Sequence, residues 1–238
     1  MKNLKTQLAV ALAICAGTTN FAQDAHLSQY ETAPNTLNPA LTGMYENADF
    51  RMTSNVRSQW NSLSSSFLTT GFAYDVSLQR RFGVGLSMVN YNMAGIMNTF
   101  QLGADGAYNV SDPKAKHTLS VGVHLGLLYK KMNDQQLLWD AQYNDGYFNS
   151  DLPSGEFMQR GSRWMPDVSA GIAYRSTNSR KSVNPFGNFA MFHVTTPYES
   201  VLRTTKSDLP IRFSVNAGAR VEVATGIFVI PVGLYMRQ

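Results

Sequence analysis

The sequence predicts an all-β protein, a transmembrane antiparallel β-barrel of an outer membrane, and three observations carry that expectation. Period-two alternation of apolar and polar residues recurs along the chain, helical periodicity is hard to find past the amino-terminal region, and the first residues have the layout of an export signal. Composition agrees with this. Charged residues make up 15% of the chain and aromatics 11%, with a slightly negative mean hydropathy, a mixture unusual for a soluble globular domain. Barrel strands produce it naturally, because lipid-facing apolar residues alternate with lumen-facing polar ones and the average comes out neutral. A pI near 9.2 and a formal charge of +4 raise nucleic acid as a ligand, but the Lys and Arg residues are scattered and form no basic stripe.

Export decides which residues take part in the fold. Lys2 and Lys5 precede an apolar run over 8–17, and Thr18, Thr19 and Asn20 lead to Ala22. That is the three-part plan of a secretory signal peptide, with cleavage expected after Ala22 and a mature chain from Gln23. The apolar run is about half of the roughly 20 residues that a membrane-spanning helix needs. Cys15, the single cysteine, lies within it, so the mature chain has no disulfide and no thiolate metal site. Acylation of Cys15 is disfavoured by Ile14 directly before it, where a lipoprotein peptidase prefers a small residue. The expected organisation is therefore a signal peptide over 1–22, a periplasmic coil or plug over 23–48, and barrel over 49–238.

Nine strands follow from the alternation. Phe50, Met52, Val56 and Trp60 oppose Arg51, Asn55, Arg57 and Gln59 in the first, and Leu68, Phe72, Tyr74 and Val76 mark the second. Val84, Leu86 and Met88 oppose Gly83, Gly85 and Ser87 in the third, and Phe100, Leu102, Ala104 and Tyr108 oppose Gln101, Asp105 and Asn109 in the fourth. The fifth is the longest, with Leu119 to Tyr129 at odd positions against Ser120, Gly122, His124, Gly126 and Lys130. Val168, Ala170, Ile172 and Tyr174 make a sixth; Phe186, Ala190, Phe192 and Val194 a seventh; and Ile211, Phe213, Val215 and Ala217 oppose Arg212, Asn216 and Arg220 in an eighth. The ninth, 228–236, is uniformly apolar and holds Pro231, a residue that strand interiors avoid.

A soluble sandwich or lipocalin also alternates. Polar faces that set Asn, Arg, Glu and Gln beside glycines suit a wet or plugged lumen instead, and aromatics near strand ends suit interfacial girdles. Connections test the topology independently. Short ones fall at 77–81, 111–116, 176–183 and 224–226, and longer ones at 61–66, 92–97, 132–165 and 196–209, so the two longest land on the same side. An odd strand number, and a final Gln238 in place of a terminal aromatic, lead to the expectation of a C-terminally truncated, incomplete barrel, since an open edge in lipid leaves amides unpaired.

The segment before the first strand reads Ser28, Gln29, Tyr30, then Pro34, then Leu37-Asn38-Pro39-Ala40, then Gly43. Arg57-Ser58-Gln59-Trp60, Gly83 and Gly85, Leu138-Trp139-Asp140 and Phe192-His193-Val194-Thr195-Thr196-Pro197 follow in order. This series resembles the PorP/SprF family of outer-membrane proteins associated with type IX secretion and gliding motility, from about Gln23 to the end. The resemblance implies a periplasm-facing amino-terminal segment, a barrel, and partnership with other secretion components and with large secreted surface proteins such as adhesins. Asn38-Pro39 is a turn former and Pro39 lacks an amide hydrogen, so the segment should be an ordered coil. It either plugs the barrel bottom, the commoner role for such a coil, or docks a partner. The family-motif residues Ser28, Gln29, Tyr30, Pro34, Asn38, Pro39, Ala40, Gly43, Arg57, Trp60, Trp139, Asp140, His193 and Pro197 are the candidate contacts.

Signals for chemistry are missing: there is no phosphate-binding Gly-rich loop with Lys, no nucleophile elbow and no His-Glu-x-x-His. No catalytic residue, cofactor or metal is expected. Acidic residues Asp134, Asp140, Asp145, Asp151 and Glu156 lack the stagger of a calcium loop; the plain reading is a solvated surface loop, and Trp139, Tyr143, Tyr147 and Phe148 among them favour a protein-binding surface. Three functions compete on these grounds. They are a secretion component that supports secretion or anchoring of a partner protein, a passive solute channel using the polar strand faces, and a lipid hydrolase with a Ser-His-Asp site assembled by the fold.

Overall fold

In a computed structural model, residues 30–45, 48–62, 65–112, 115–133, 137, 139–144, 146–153, 155, 161–178, 181–200 and 207–238 are described. The expected signal peptide, Gln23, Ser28 and Gln29 lie outside them. Nine long stretches of alternating sequence form one antiparallel sheet. Its members are β1 (Phe50–Gln59), β2 (Phe67–Leu78), β3 (Phe82–Met93), β4 (Met97–Asn109) and β5 (His117–Met132). A small separate hairpin, β6 (Tyr143–Asn144) with β7 (Tyr147–Phe148), decorates the long connection that follows. The sheet continues through β8 (Ser162–Ser176), β9 (Val183–Phe192) and β10 (Arg212–Ala224), then β11 (Ile227–Val229) and β12 (Val232–Arg237), both on β10. Strand β1 pairs with β2, and the described sheet is not closed.

β11 and β12 are the expected ninth strand, interrupted at Pro231. That residue has no N–H to give the ladder, yet its carbonyl still accepts from the Ala219 amide at 3.3 Å. The two halves therefore keep one register against β10, from Phe213↔Arg237 to Val221↔Val229. The two longest connections, β5 to β8 and β9 to β10, fall at the same end as expected, but the β3–β4 connection at that end is a tight turn over 94–96, shorter than those between β4 and β5 and between β8 and β9, because β3 and β4 stay paired out to Met93↔Met97.

The faces are inverted relative to a soluble protein. Val56 and Leu125 point outward at 72% and 60% exposure, while Asp75 and Asp167 point inward at 1%. Water-soluble folds bury apolar groups and expose charges, so the reversal marks an outer face built for hydrocarbon and a polar interior. Aromatic pairs lie near both ends of the strands, Phe82 with Tyr108 at 5.1 Å and Tyr129 with Trp164 at 4.5 Å, where amphipathic rings suit a membrane interface. No helix among the described residues is long and apolar enough to cross a membrane. Strand β9 departs from the pattern. Its apolar set Phe186, Ala190 and Phe192 faces the lumen, and Phe189 faces out; Ala190 is the cross-strand partner of Gly171, and Phe192 lies under Arg212.

The lumen floor is a row of small residues running sideways across the sheet. Gly83, Ala107, Gly122, Gly171, Ala190 and Ser214 are successive cross-strand partners from β3 to β10. Residues 38–43 lie along this trough. A Cβ on Gly83 would overlap the Thr42 carbonyl, one on Gly122 the Pro39–Ala40 backbone, and one on Gly171 the Asn38 side chain. The opposite face is open, and a Cβ on Gly106 meets nothing within 4 Å. Valine at Gly122 is therefore expected to displace the segment and lower stability by about 1–3 kcal/mol, the usual cost of overpacking. Gly106→Val should be close to neutral. Urea midpoints of the two variants in the same bilayer, with protease sensitivity of residues 30–45 as a second readout, check the contrast; equal midpoints would refute the trough.

Candidate functional site

Two prolines shape the amino-terminal segment. Pro34 opens a single helical turn, α1 (Pro34–Leu37), and Pro39 opens a 3₁₀ turn (Pro39–Leu41), each at the first helical position, where a missing N–H costs nothing. Asn38 caps the second turn by accepting from the Ala40 amide at 2.8 Å, as Asn does at helix starts. Its Nδ2 then donates to the carbonyls of Ile172 on β8 and Phe189 on β9, at 2.9 and 3.0 Å. Ser120 Oγ donates to the Ala40 carbonyl at 2.7 Å. The segment is thus tied to three strands through its own backbone and one amide.

A charged hub holds the other end. Asp75 accepts from Arg51 Nε at 3.0 Å and Nη2 at 2.8 Å, and from the Gly43 amide at 2.6 Å. Arg51 also donates to the Leu41 carbonyl and to Asn35 Oδ1. Tyr45 lies under this guanidinium, 5.1 Å away, its one hydroxyl proton shared between the Asp49 and Asp75 carbonyls at 3.1 and 3.0 Å. Burial, reinforced by the Asp75 charge, raises its pKa, so it stays a donor. Gly43 takes φ +66 and packs on Gly83, a conformation and a closeness that favour glycine.

Above the segment, charged and polar groups are paired across strands. His124 Nδ1 sits 2.8 Å from Asp105 Oδ1, and the ring occupies the gap left by Gly103 and Gly126. Ser87 Oγ donates to Asp105 Oδ2 at 3.2 Å, and Gln101 faces His124 Nε2 at 3.4 Å. Ser, Asp and His therefore meet in the wrong order for a nucleophilic triad, which needs the hydroxyl on the imidazole. Further along, His193 Nδ1 pairs with Asp167 Oδ1 at 3.0 Å. Among the described residues no group of three or more His, Cys, Asp or Glu is placed to hold a metal ion.

His193 begins an inward-folded connection between β9 and β10. It takes φ +58, its carbonyl accepts from Thr196, and Pro197 and Leu209 are buried and joined by a 2.9 Å backbone bond. Glu199 is clamped there by Lys130 at 2.8 Å and by Ser207 at 3.2 Å. The lumen is thus occupied from both ends. A cavity of about 370 Å³ remains between them.

The candidate contacts separate spatially. Asn38, Pro39, Ala40, Gly43, His193 and Pro197 face inward, Tyr30 and Pro34 sit beside the floor, and Arg57 is half-buried on the inner face of β1. Trp60 is 58% exposed at the end of β1. Trp139 and Asp140 start the turn before the β6–β7 hairpin, which Gln142 braces by bonding the Trp139 amide and the Leu152 carbonyl. Tyr147 stands out of that hairpin at 79% exposure, with Tyr143 and Phe148 beside it. Sequence reasoning did not single out Arg51, Asp75, Asp167 or Glu199, whose partners are distant in the chain.

Residues 19–238 match the family model of the type IX secretion system membrane protein PorP/SprF. The chain belongs to the PorP/SprF family. It is a type IX secretion membrane component with a membrane β-barrel fold. No curated protein and no solved structure matches it. In this PorP/SprF chain Asp75 is buried and accepts three hydrogen bonds, and its loss leaves the Arg51 charge and the Gly43 amide without that acceptor. Asp75→Ala is expected to cost about 3–5 kcal/mol, as for a broken buried pair, with Asp75→Asn, which keeps an acceptor, intermediate. Bilayer unfolding titrations read the order; an alanine variant as stable as the parent would refute the hub.

Proposed function

We propose that the chain is an outer-membrane barrel component of the type IX secretion and gliding machinery that supports secretion or surface anchoring of a partner protein such as an adhesin. The observation that carries this is a lumen filled from one end by residues 30–43 and from the other by the connection after β9. Such a barrel is poorly suited to passing solutes, which weighs against the passive channel, and leaves its long-connection end as the working surface. Support for partner contact there comes from Tyr143, Tyr147 and Phe148, large exposed groups on a braced hairpin beside Trp139 and Asp140. Aromatics of this kind supply much of the energy of protein interfaces.

Affinity purification of the protein from detergent-solubilised outer membranes should recover a large secreted surface protein or other type IX components. Serine at both Tyr143 and Tyr147 is expected to reduce that recovery by roughly thirtyfold or more, the equivalent of one interface hot spot of ~2 kcal/mol, without altering barrel stability. A lone barrel that opens stepwise conductance in planar bilayers would instead establish the channel.

A further inference from the structure

The cavity between the amino-terminal segment and the inward connection is lined by uncharged polar residues such as Thr69, Thr99 and Gln101 and, beside them, by a set of methionines. Met93, Met97, Met165 and Met236 contribute to it, and Leu128, Met165 and Leu209 form a buried apolar cluster at its side. The ionisable groups beside it have partners: Lys130 with Glu199, His124 with Asp105, His193 with Asp167, while Arg212 lies 4.2 Å over the Phe192 ring. An occupant matched to these walls is uncharged along its length, linear and flexible. Methionine side chains adapt to such shapes because they are unbranched and polarisable. The volume of about 370 Å³ falls in the range of small-ligand sites, roughly 300–1,000 Å³.

We propose that this chamber binds a single hydrocarbon acyl chain, its access controlled by residues 193–200, which carry Glu199. That connection is fastened over the chamber by the Lys130–Glu199 ion pair and by Arg163, which donates to the Tyr198 carbonyl at 3.2 Å and stacks on its ring at 4.4 Å. Filling the chamber removes apolar wall from water inside an otherwise polar lumen, and each buried methylene stabilises the complex. The reading is independent of which protein the barrel serves.

Photo-crosslinking tests it, because lumen-facing and lipid-facing residues alternate on the same strands. The whole protein in lipid nanodiscs is irradiated with a palmitic acid analogue carrying a diazirine near its chain end, and adducts are mapped by peptide mass spectrometry. Adducts on Met97, Leu128 and Met165 are expected. Met165→Trp, or Met97→Trp where the first does not fold, should cut lumen adducts about tenfold while leaving those on Leu125 and Leu127, and Glu199→Gln should raise them; tenfold equals ~1.4 kcal/mol of binding. Labelling by the free acid or by a phospholipid bearing the same chain assigns the source. Adducts confined to Leu125, Leu127 and Trp164, which face lipid, would overturn the proposal.

Discussion

The side chain of Asn38 reaches two strands at once, and its two bonds to the Ile172 and Phe189 carbonyls are possible only because the strand surface beneath it is bare. Gly122 and Gly171 let the backbone of residues 38–40 come within contact distance of the sheet, and Ser120 then reaches the Ala40 carbonyl. Arg51 and Asp75 repeat the arrangement at the other end, joining β1, β2 and residue 43. The sheet curls around this segment, since the same short peptide contacts strands from β1 to β9. Residue choice along these strands is set by the need to pass a piece of chain across them.

A second constraint follows from the first. With its interior polar and its exterior in hydrocarbon, the fold has little apolar core, and buried charges must satisfy each other. Among the described residues the deeply buried carboxylates each have a basic partner on another element: Asp75 with Arg51, Asp105 with His124, Asp167 with His193, and Glu199 with Lys130. Such pairs add little net stability compared with apolar packing, yet losing one member is costly. They act as register marks. A strand slipped by one residue would turn its charges into lipid, so each pair penalises misalignment of the strands it joins.

Strand positions were legible in the sequence wherever one face is oily and the other wet, as along Leu119 to Tyr129. The signal failed in β9, where Phe186 and Phe192 face inward while Phe189 faces out, so both faces look apolar and periodicity cannot choose between them. Pro231 was rightly suspect, but a sequence does not reveal that the register survives it. Gly83, Gly85, Gly122 and Gly126 were visible as small residues on polar faces. Their alignment into a trough depends on strand pairing, which a single chain read residue by residue does not contain. The same holds for the charge pairs, since Lys130 and Glu199 are 69 positions apart. The hairpin aromatics were legible because composition alone marks them.

The bonds made by Asn38 span 134 and 151 residues of chain. Contacts so distant in sequence carry a large loop-closure cost and form late. Neither carbonyl is positioned until β8 and β9 have paired, so a segment made first is seated last. Seating of Asn38 then reports that β8 and β9 have paired, and an intermediate without that pair leaves its Nδ2 without these two acceptors. Asn38 is in this sense a gauge of that pairing, built into the chain that it measures.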